Sequence, residues 1–558
     1  MVAPAIDWTE PSRTDNLGVD HLGMRVAGEV AIAKLLDFTT TVSRRVRYFS
    51  FLCWAVRRAL EVAKVQGAAE DDDEFEVDLA KWRKSIKRDD YLIAGATLLD
   101  QPGAFGIAGS LKLSKAVQAA EKAVAFDIVA NHLTSATGSL GIYAGSMRQM
   151  GLLRNRRGLD VVTELGARLA DAFDASLAAT GLKPEIDEKA PQVRALREVG
   201  GECGLAQLAS AAKGIPAVLR ERDLLRSVIL DWESFQEGTG PAAPRMLSIG
   251  IILTLHQIAE GPVDLVGFRE ATLLGGLGAS DGFLPLDLPE IYEKTLRQWS
   301  AYQSHAFATY ALEELLSLLL EVAHDAVPES GGAIAARRLL GDLEETLDVP
   351  EELSGFDLPR SLRRWPTAPI GKVVDAIDEL LPKRGANLEQ EPAIYVALCD
   401  PDATPNKTAW AHNALLLLLW SIVRMRAQRN AAADSWIGDG TPWRRPPGVL
   451  VRHLEAAAAE GLSCRSYFRR CLEELVLHQH QNNALRKLLG DPTKYTALFT
   501  IESGRLSPLS RHRADTSNPR FANAVQFLID LGFLDADRQK VTEDGARLLD
   551  TLAHGGRR

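Results

Sequence analysis

The octapeptide VTELGARL stands at residues 162–169 and VTEDGARL at 541–548, seven of the eight letters agreeing. Each copy closes a longer frame that also repeats: MRQMGLLRNRRGLDVVTELGARLADAF and FLIDLGFLDADRQKVTEDGARLLDTL. In both, a helix-forming stretch ends at a glycine, two apolar residues and a polar turn follow, and Val-Thr-Glu leads into the repeat. Gly151 and Gly532 suit the left-handed residue that stops a helix, where any side chain costs energy. Leu152–Leu153 and Phe533–Leu534 then begin a strand, Asn155–Gly158 or Asp535–Gln539 form the turn, and Val161–Val162 or Val541 return.

Thr163 and Thr542 are placed to cap the next helix, since a threonine oxygen accepts from backbone N–H groups that lack an intrahelical partner. Glu164 and Glu543 add negative charge at that helix's positive end. Gly166 and Gly545, third after the cap, leave room for the hairpin to lie against the helix. Helix, two-stranded wing and closing helix together predict two winged-helix units.

The rest of the chain reads as mainly α. RRVRYFSFLCWAVRRALEVAKV (44–65) puts Val46, Phe49, Cys53 and Val56 on one stripe. Pro289 opens a long helical stretch, further helices cover about 332–348, 371–382 and 407–429, and KYTALFTIESGRLSPL alternates around a Ser-Gly turn as a hairpin. No βαβ alternation appears, which argues against a parallel-sheet enzyme fold for most of the chain. With 558 residues, about three to four domains are expected. Composition shifts, among them the acidic run Asp71–Glu74 and the Gly/Pro-rich stretch 435–448, divide a multi-domain helical scaffold into five parts. These are an N-terminal helical segment (1–66), a region ending in the first winged helix (67–180), a central helical domain (181–348), a further helical domain (349–434) and a C-terminal block with hairpin and second winged helix (435–558).

A net charge of −10 argues against a protein coated in nucleic acid but allows one local basic face. That face is the first wing: Arg154, Asn155, Arg156 and Arg157 in the turn, with Arg148 and Gln149 just upstream, suit phosphate contact, so duplex DNA is the expected ligand there. The second turn, DADRQK, is nearly neutral. Five cysteines without CxxC spacing point to a reduced, cytoplasmic chain with no metal or other cofactor. No signal peptide is evident, and the apolar run Ala414–Val423 is about half the length of a bilayer crossing, so no membrane partner is expected.

Enzyme-like letters are sparse. Asp400-x-Asp402-x-Thr404 follows an apolar run as in haloacid-dehalogenase-type phosphatases, where one aspartate is nucleophile and the other general acid beside a metal. Thr404 as cap with Pro405 at the first helical position explains the same letters. Glu474 and His478 have a metal-ligand spacing without an evident third ligand, and GGLGASDG follows a helix and lacks a P-loop lysine.

The stretch DHLGMRVAGEVAIAKLLDFTTTVSRRVRYFSFLCWAV (20–56) resembles the opening of uncharacterised helical proteins encoded beside bacterial antiphage defence genes, whose pattern is LLPGxxxxTxRxRYYSFxxW. LHQHQNNALRKLLGDPTKYTALFTIESGRL and NPRFANAVQFLIDLGFL resemble that group's tail. The chain departs from the pattern at Asp37-Phe38, where the group prefers Pro-Gly. The resemblance implies a role in defence against phage or plasmids inside a multi-protein complex with partners such as an ATPase or a nuclease, and it supplies no catalytic residue. Arg44, Arg45 and Arg47 match the pattern; read from the residues they form a basic helix face that is structural or partner-binding. The expectation is a non-catalytic DNA-associated scaffold. Its alternatives are a phosphatase- or nuclease-type hydrolase using Asp400 and Asp402, and a kleisin-like connector of an SMC-type ATPase.

Overall fold

The computed structural model describes residues 20–40, 42, 44–64, 77–120, 126, 132–180, 191–208, 214–238, 242–279, 282–330, 332–348, 365–381, 406–431, 447–491, 496–537 and 539–555. Asp400, Asp402, Cys399 and the acidic run Asp71–Glu74 lie outside them. Helices dominate, and every sheet among the described residues is antiparallel with two or three strands. No described helix is long and apolar enough to cross a membrane. The chain divides into two compact units, each drawn from separated stretches: Ala33–Leu265, Leu288–Tyr292 and Asn518–Arg558 form one, and Met1–Ile32, Val266–Asp287 and Glu293–Ser517 the other.

The first of these units is built on the Tyr48–Ala63 helix. Val46, Phe49, Cys53 and Val56 are buried as their spacing predicts, and so are Tyr48, Phe51, Leu52 and Trp54 on other faces. The extra burial follows from two neighbours, because the Leu79–Asp100 and Glu164–Ala179 helices both pack on this rod. Phe51 and Trp54 meet Phe173 with ring centroids 5.6 and 5.5 Å apart. Removing each such side chain from water stabilises the fold by about 1.5–3 kcal/mol.

Arg44, Arg45 and Arg47 precede this helix, which starts only at Tyr48, so they are not a helical face. Their chemistry is internal. Arg45 donates to Asp530 at 2.7 Å and to the Phe105 carbonyl at 2.8 Å. The fully buried Arg47 grips Glu221 with two bonds of 3.1 and 2.7 Å and donates to the Gly204 carbonyl at 3.0 Å. Arg44 is half-buried with its guanidinium 4.6 Å from the Phe105 ring centroid. Asp37 is buried and accepts from Arg245 at 3.1 Å, while Phe38 packs against Phe527 with centroids 5.7 Å apart.

The other unit centres on the Glu293–Ser330 and Lys407–Ala431 helices, whose leucines interdigitate: Leu312, Leu315, Leu316 and Leu319 on one, Leu415 to Leu419 on the other. The apolar run Ala414–Val423 is therefore a buried core helix, with the Trp410 indole N–H donating to Glu314 at 2.8 Å at its edge.

This core also encloses ionisable groups. Burial lowers the imidazoles of His21, His305, His480 and His512 to about 4, the charge of His512 adding to the effect on His21 and that of Arg25 to the effect on His512. Burial raises Glu313 to about 6 despite the Arg25 guanidinium bonded to it. A histidine with a depressed folded pKa binds more protons unfolded than folded, so stability falls as pH drops from about 6.5 towards about 4. Glu313 works in the opposite sense below about pH 6, as do Glu314, Asp37 and Asp530, whose carboxyls burial also raises. These four face six lowered imidazoles among the described residues, since burial lowers His256 and His412 as well. The melting temperature should thus fall across this window, and His305→Leu should shrink the fall; a flat profile would contradict the burial of these rings.

Candidate nucleic-acid interface

The twin frames fold alike. The Leu140–Gln149 helix ends where Met147 O accepts from Leu152 N at 2.8 Å and Arg148 O from Gly151 N at 3.1 Å, with Gly151 at φ 69. The Phe521–Asp530 helix ends with the same pair of bonds, Leu528 O to Phe533 N at 2.8 Å and Ile529 O to Gly532 N at 2.9 Å, with Gly532 at φ 78. This double bond around a left-handed residue satisfies carbonyls that a helix end leaves open.

Strands β1 (Leu153–Arg156) and β2 (Leu159–Val162) follow in the first copy. Asn155 pairs with Asp160 and Arg156 with Leu159, so the turn is two residues, Arg157 at φ 49 and Gly158 at φ 85, and not the whole of Asn155–Gly158. Positive φ at both central positions gives the turn whose twist matches the flanking strands. In the second copy the ribbon is a single bridge, Leu534 to Val541, beneath a longer turn.

The repeated letters hold hairpin to helix. Thr163 Oγ accepts from Gly166 N at 3.1 Å and donates to Gly151 O at 2.6 Å; Thr542 Oγ accepts from Gly545 N at 3.1 Å and donates to Gly532 O at 2.8 Å. A Cβ on Gly166 would stand 2.2 Å from the Leu152 carbonyl oxygen, and one on Gly545 2.3 Å from that of Phe533. Glycine is required at both because backbone occupies the space.

The one letter that differs separates the two copies electrostatically. Asp544 accepts from Arg226 at 2.8 Å and pairs with Arg547, so the second copy neutralises its arginine. Leu165 stands at the same place in the first copy, and Arg168, the counterpart of Arg547, is exposed with no ion pair among the described residues. Sequence reasoning missed Arg168, although the Leu-for-Asp change was the available signal.

Arg154, Arg156 and Arg157 are likewise exposed and carry no ion pair among the described residues. Arg154 and Arg156 share one face of the ribbon about 7 Å apart, and Asn155 Oδ1 fixes the tip by accepting from Gly158 N at 3.0 Å. Gln149 is exposed at the helix end. Arg148 has a different role: it donates to Asp160 at 2.8 and 3.2 Å, and that bond raises its pKa while bracing helix to ribbon. The set offers permanent cations on a stiff support, an arrangement whose chemistry suits contact with anions.

Among the described residues the other candidate chemistry does not assemble. Cys471–Leu477 is a π-helix, whose wider turn alters the spacing expected for Glu474 and His478, and Glu474 instead meets His453 and Arg470, both at 3.2 Å. No group of three or more His, Cys, Asp or Glu among the described residues could hold a metal. GGLGASDG contributes to a further hairpin, β3 (Gly276–Ala279) with β4 (Gly282–Pro285), which its glycines hid from the sequence reading. The Ser-Gly turn does join β6 (Phe499–Glu502) to β7 (Arg505–Pro508), and β7 also pairs with β5 (Ile334–Ala335). Compared with protein-family models, curated proteins and solved structures, the chain matches none.

Proposed function

We propose that this chain is a non-catalytic scaffold that associates with duplex DNA through its first helix–hairpin–helix module, used as a winged helix, within a bacterial defence complex. The observation that carries the DNA reading is the quartet Arg154, Arg156, Arg157 and Arg168, exposed and without an ion pair among the described residues, on an otherwise acidic chain of net charge −10. An exposed cation without a partner gains little inside the protein, whereas each one that meets a phosphate releases a counterion. The second module, with its arginine neutralised by Asp544, serves as a packing element of the same unit. The defence setting rests on the resemblance at residues 20–56 and in the C-terminal block, and the ATPase or nuclease partners are proposed on the same ground.

Binding of the intact chain to a mixed-sequence duplex across a salt series tests the wing. The slope of log K against log salt should fall by about 0.9 for each phosphate contact removed, hence by about 2.7 for Arg154→Ala, Arg156→Ala and Arg157→Ala together. An unchanged slope would place the DNA elsewhere or nowhere.

A further inference from the structure

The densest run of positive charge in the first-described unit lies outside the wing. Residues 81–88 read KWRKSIKR, five cations in eight positions with no acid among them. They occupy the first half of the Leu79–Asp100 helix, which Asp78 caps by accepting from Ala80 N and Lys81 N, both at 3.0 Å. Trp82 and Ile86, four apart, are buried and fix which face points inward. The remaining positions face out: Arg83 and Lys84 are exposed and Lys87 half-buried, and none of the three has an ion pair among the described residues. Lys81 and Arg88 are held by Asp78 and Asp89 at 3.4 and 3.1 Å.

Two intramolecular terms oppose this arrangement. Lys81 with Lys84, Lys84 with Lys87, Arg83 with Lys87, and Lys84 with Arg88 are like-charge neighbours at three- or four-residue spacing, which destabilises a helix. The cations also crowd the end of the helix where the macrodipole is positive. A polyanion lying along the face offsets both terms, since its charge attracts the cations and the positive end of the helix alike.

We propose that Arg83, Lys84 and Lys87 form a second contact for the DNA backbone, sequence-independent and separate from the wing. Lys81 to Arg88 span about 10 Å of helix, a length that covers about three phosphates at 3.4 Å rise per strand. The Tyr48–Ala63 helix packs against both this helix and β2, so the two contacts rest on one common element. The inference rests on the DNA reading given above.

The test uses the full chain, a mixed-sequence duplex and, separately, vesicles of anionic phospholipid. Lys84→Glu with Lys87→Glu should lower the salt slope for duplex by about two with the wing intact, and should add to the wing triple variant. The double variant should melt no lower than the parent, because it relieves like-charge repulsion. Unchanged duplex binding by this variant, while the wing variant is weakened, overturns the second contact and leaves the wing reading standing. Loss of vesicle binding with duplex binding intact overturns it in favour of a lipid surface. Absence of any salt-dependent duplex binding by the parent chain overturns the reading beneath it.

Discussion

Arg47→Ala is expected to destabilise its unit by about 3–5 kcal/mol. Arg47 and Glu221 are both fully buried, and the carboxylate gathers further donors, Ser50 Oγ at 2.5 Å and Ser176 Oγ at 2.8 Å. Burial opposes the Arg47 charge, yet the adjoining carboxylate more than offsets it and holds the guanidinium above its ordinary pKa. Without Arg47 the carboxylate is left in a dry site with two hydroxyls and no counter-charge. The loss should appear as a lower urea midpoint with little change of slope. Removing both partners, as Arg47→Ala with Glu221→Ala, should cost less than the two single losses combined, since the penalty lies in leaving one charge alone. A single-variant change under about 1 kcal/mol, the level of a surface pair, would contradict the buried bidentate geometry.

Gly166→Ala should cost about 1–3 kcal/mol, because the new methyl group would lie 2.2 Å from the Leu152 carbonyl oxygen, a backbone atom that moves only with the whole hairpin. Gly545→Ala repeats the collision against Phe533 at 2.3 Å and should cost a similar amount. Gly145 provides the control. It sits in the Leu140–Gln149 helix with open space where its Cβ would go, so alanine there should be neutral or stabilise by about 0.5–1 kcal/mol. Thermal melts of the three variants check the ordering. If Gly166→Ala melts with the parent, the close seat of ribbon on helix is not formed. Displacing the ribbon should also weaken duplex binding, which Gly145→Ala should not.

Much of this was legible in the sequence because the signals were local. Gly151, Thr163 and Gly166 each act on backbone within about fifteen residues, and the second copy repeats their spacing, so cap, turn and closing helix could be read directly. The buried run Ala414–Val423 and the Ser503–Gly504 turn were legible for the same reason. The arginine motif was not. Arg45 bonds Asp530 across 485 residues and Arg47 bonds Glu221 across 174, and a run of basic letters looks the same whether its partners are solvent or distant carboxylates. In the basic wing, sequence identified the cations but could not separate Arg148, engaged by Asp160, from Arg154, Arg156 and Arg157, which have no ion pair among the described residues. The hairpin at Gly276–Pro285 was hidden because its glycines dilute the alternation that marks a strand.

The most direct test of the DNA-gripping role is backbone hydrogen exchange of the intact chain with and without a saturating duplex. Slower exchange should concentrate in β1, β2 and the turn between them, while the matching turn at Asp535–Lys540 exchanges as before. Equal protection of both turns, or none at the first, would contradict the account.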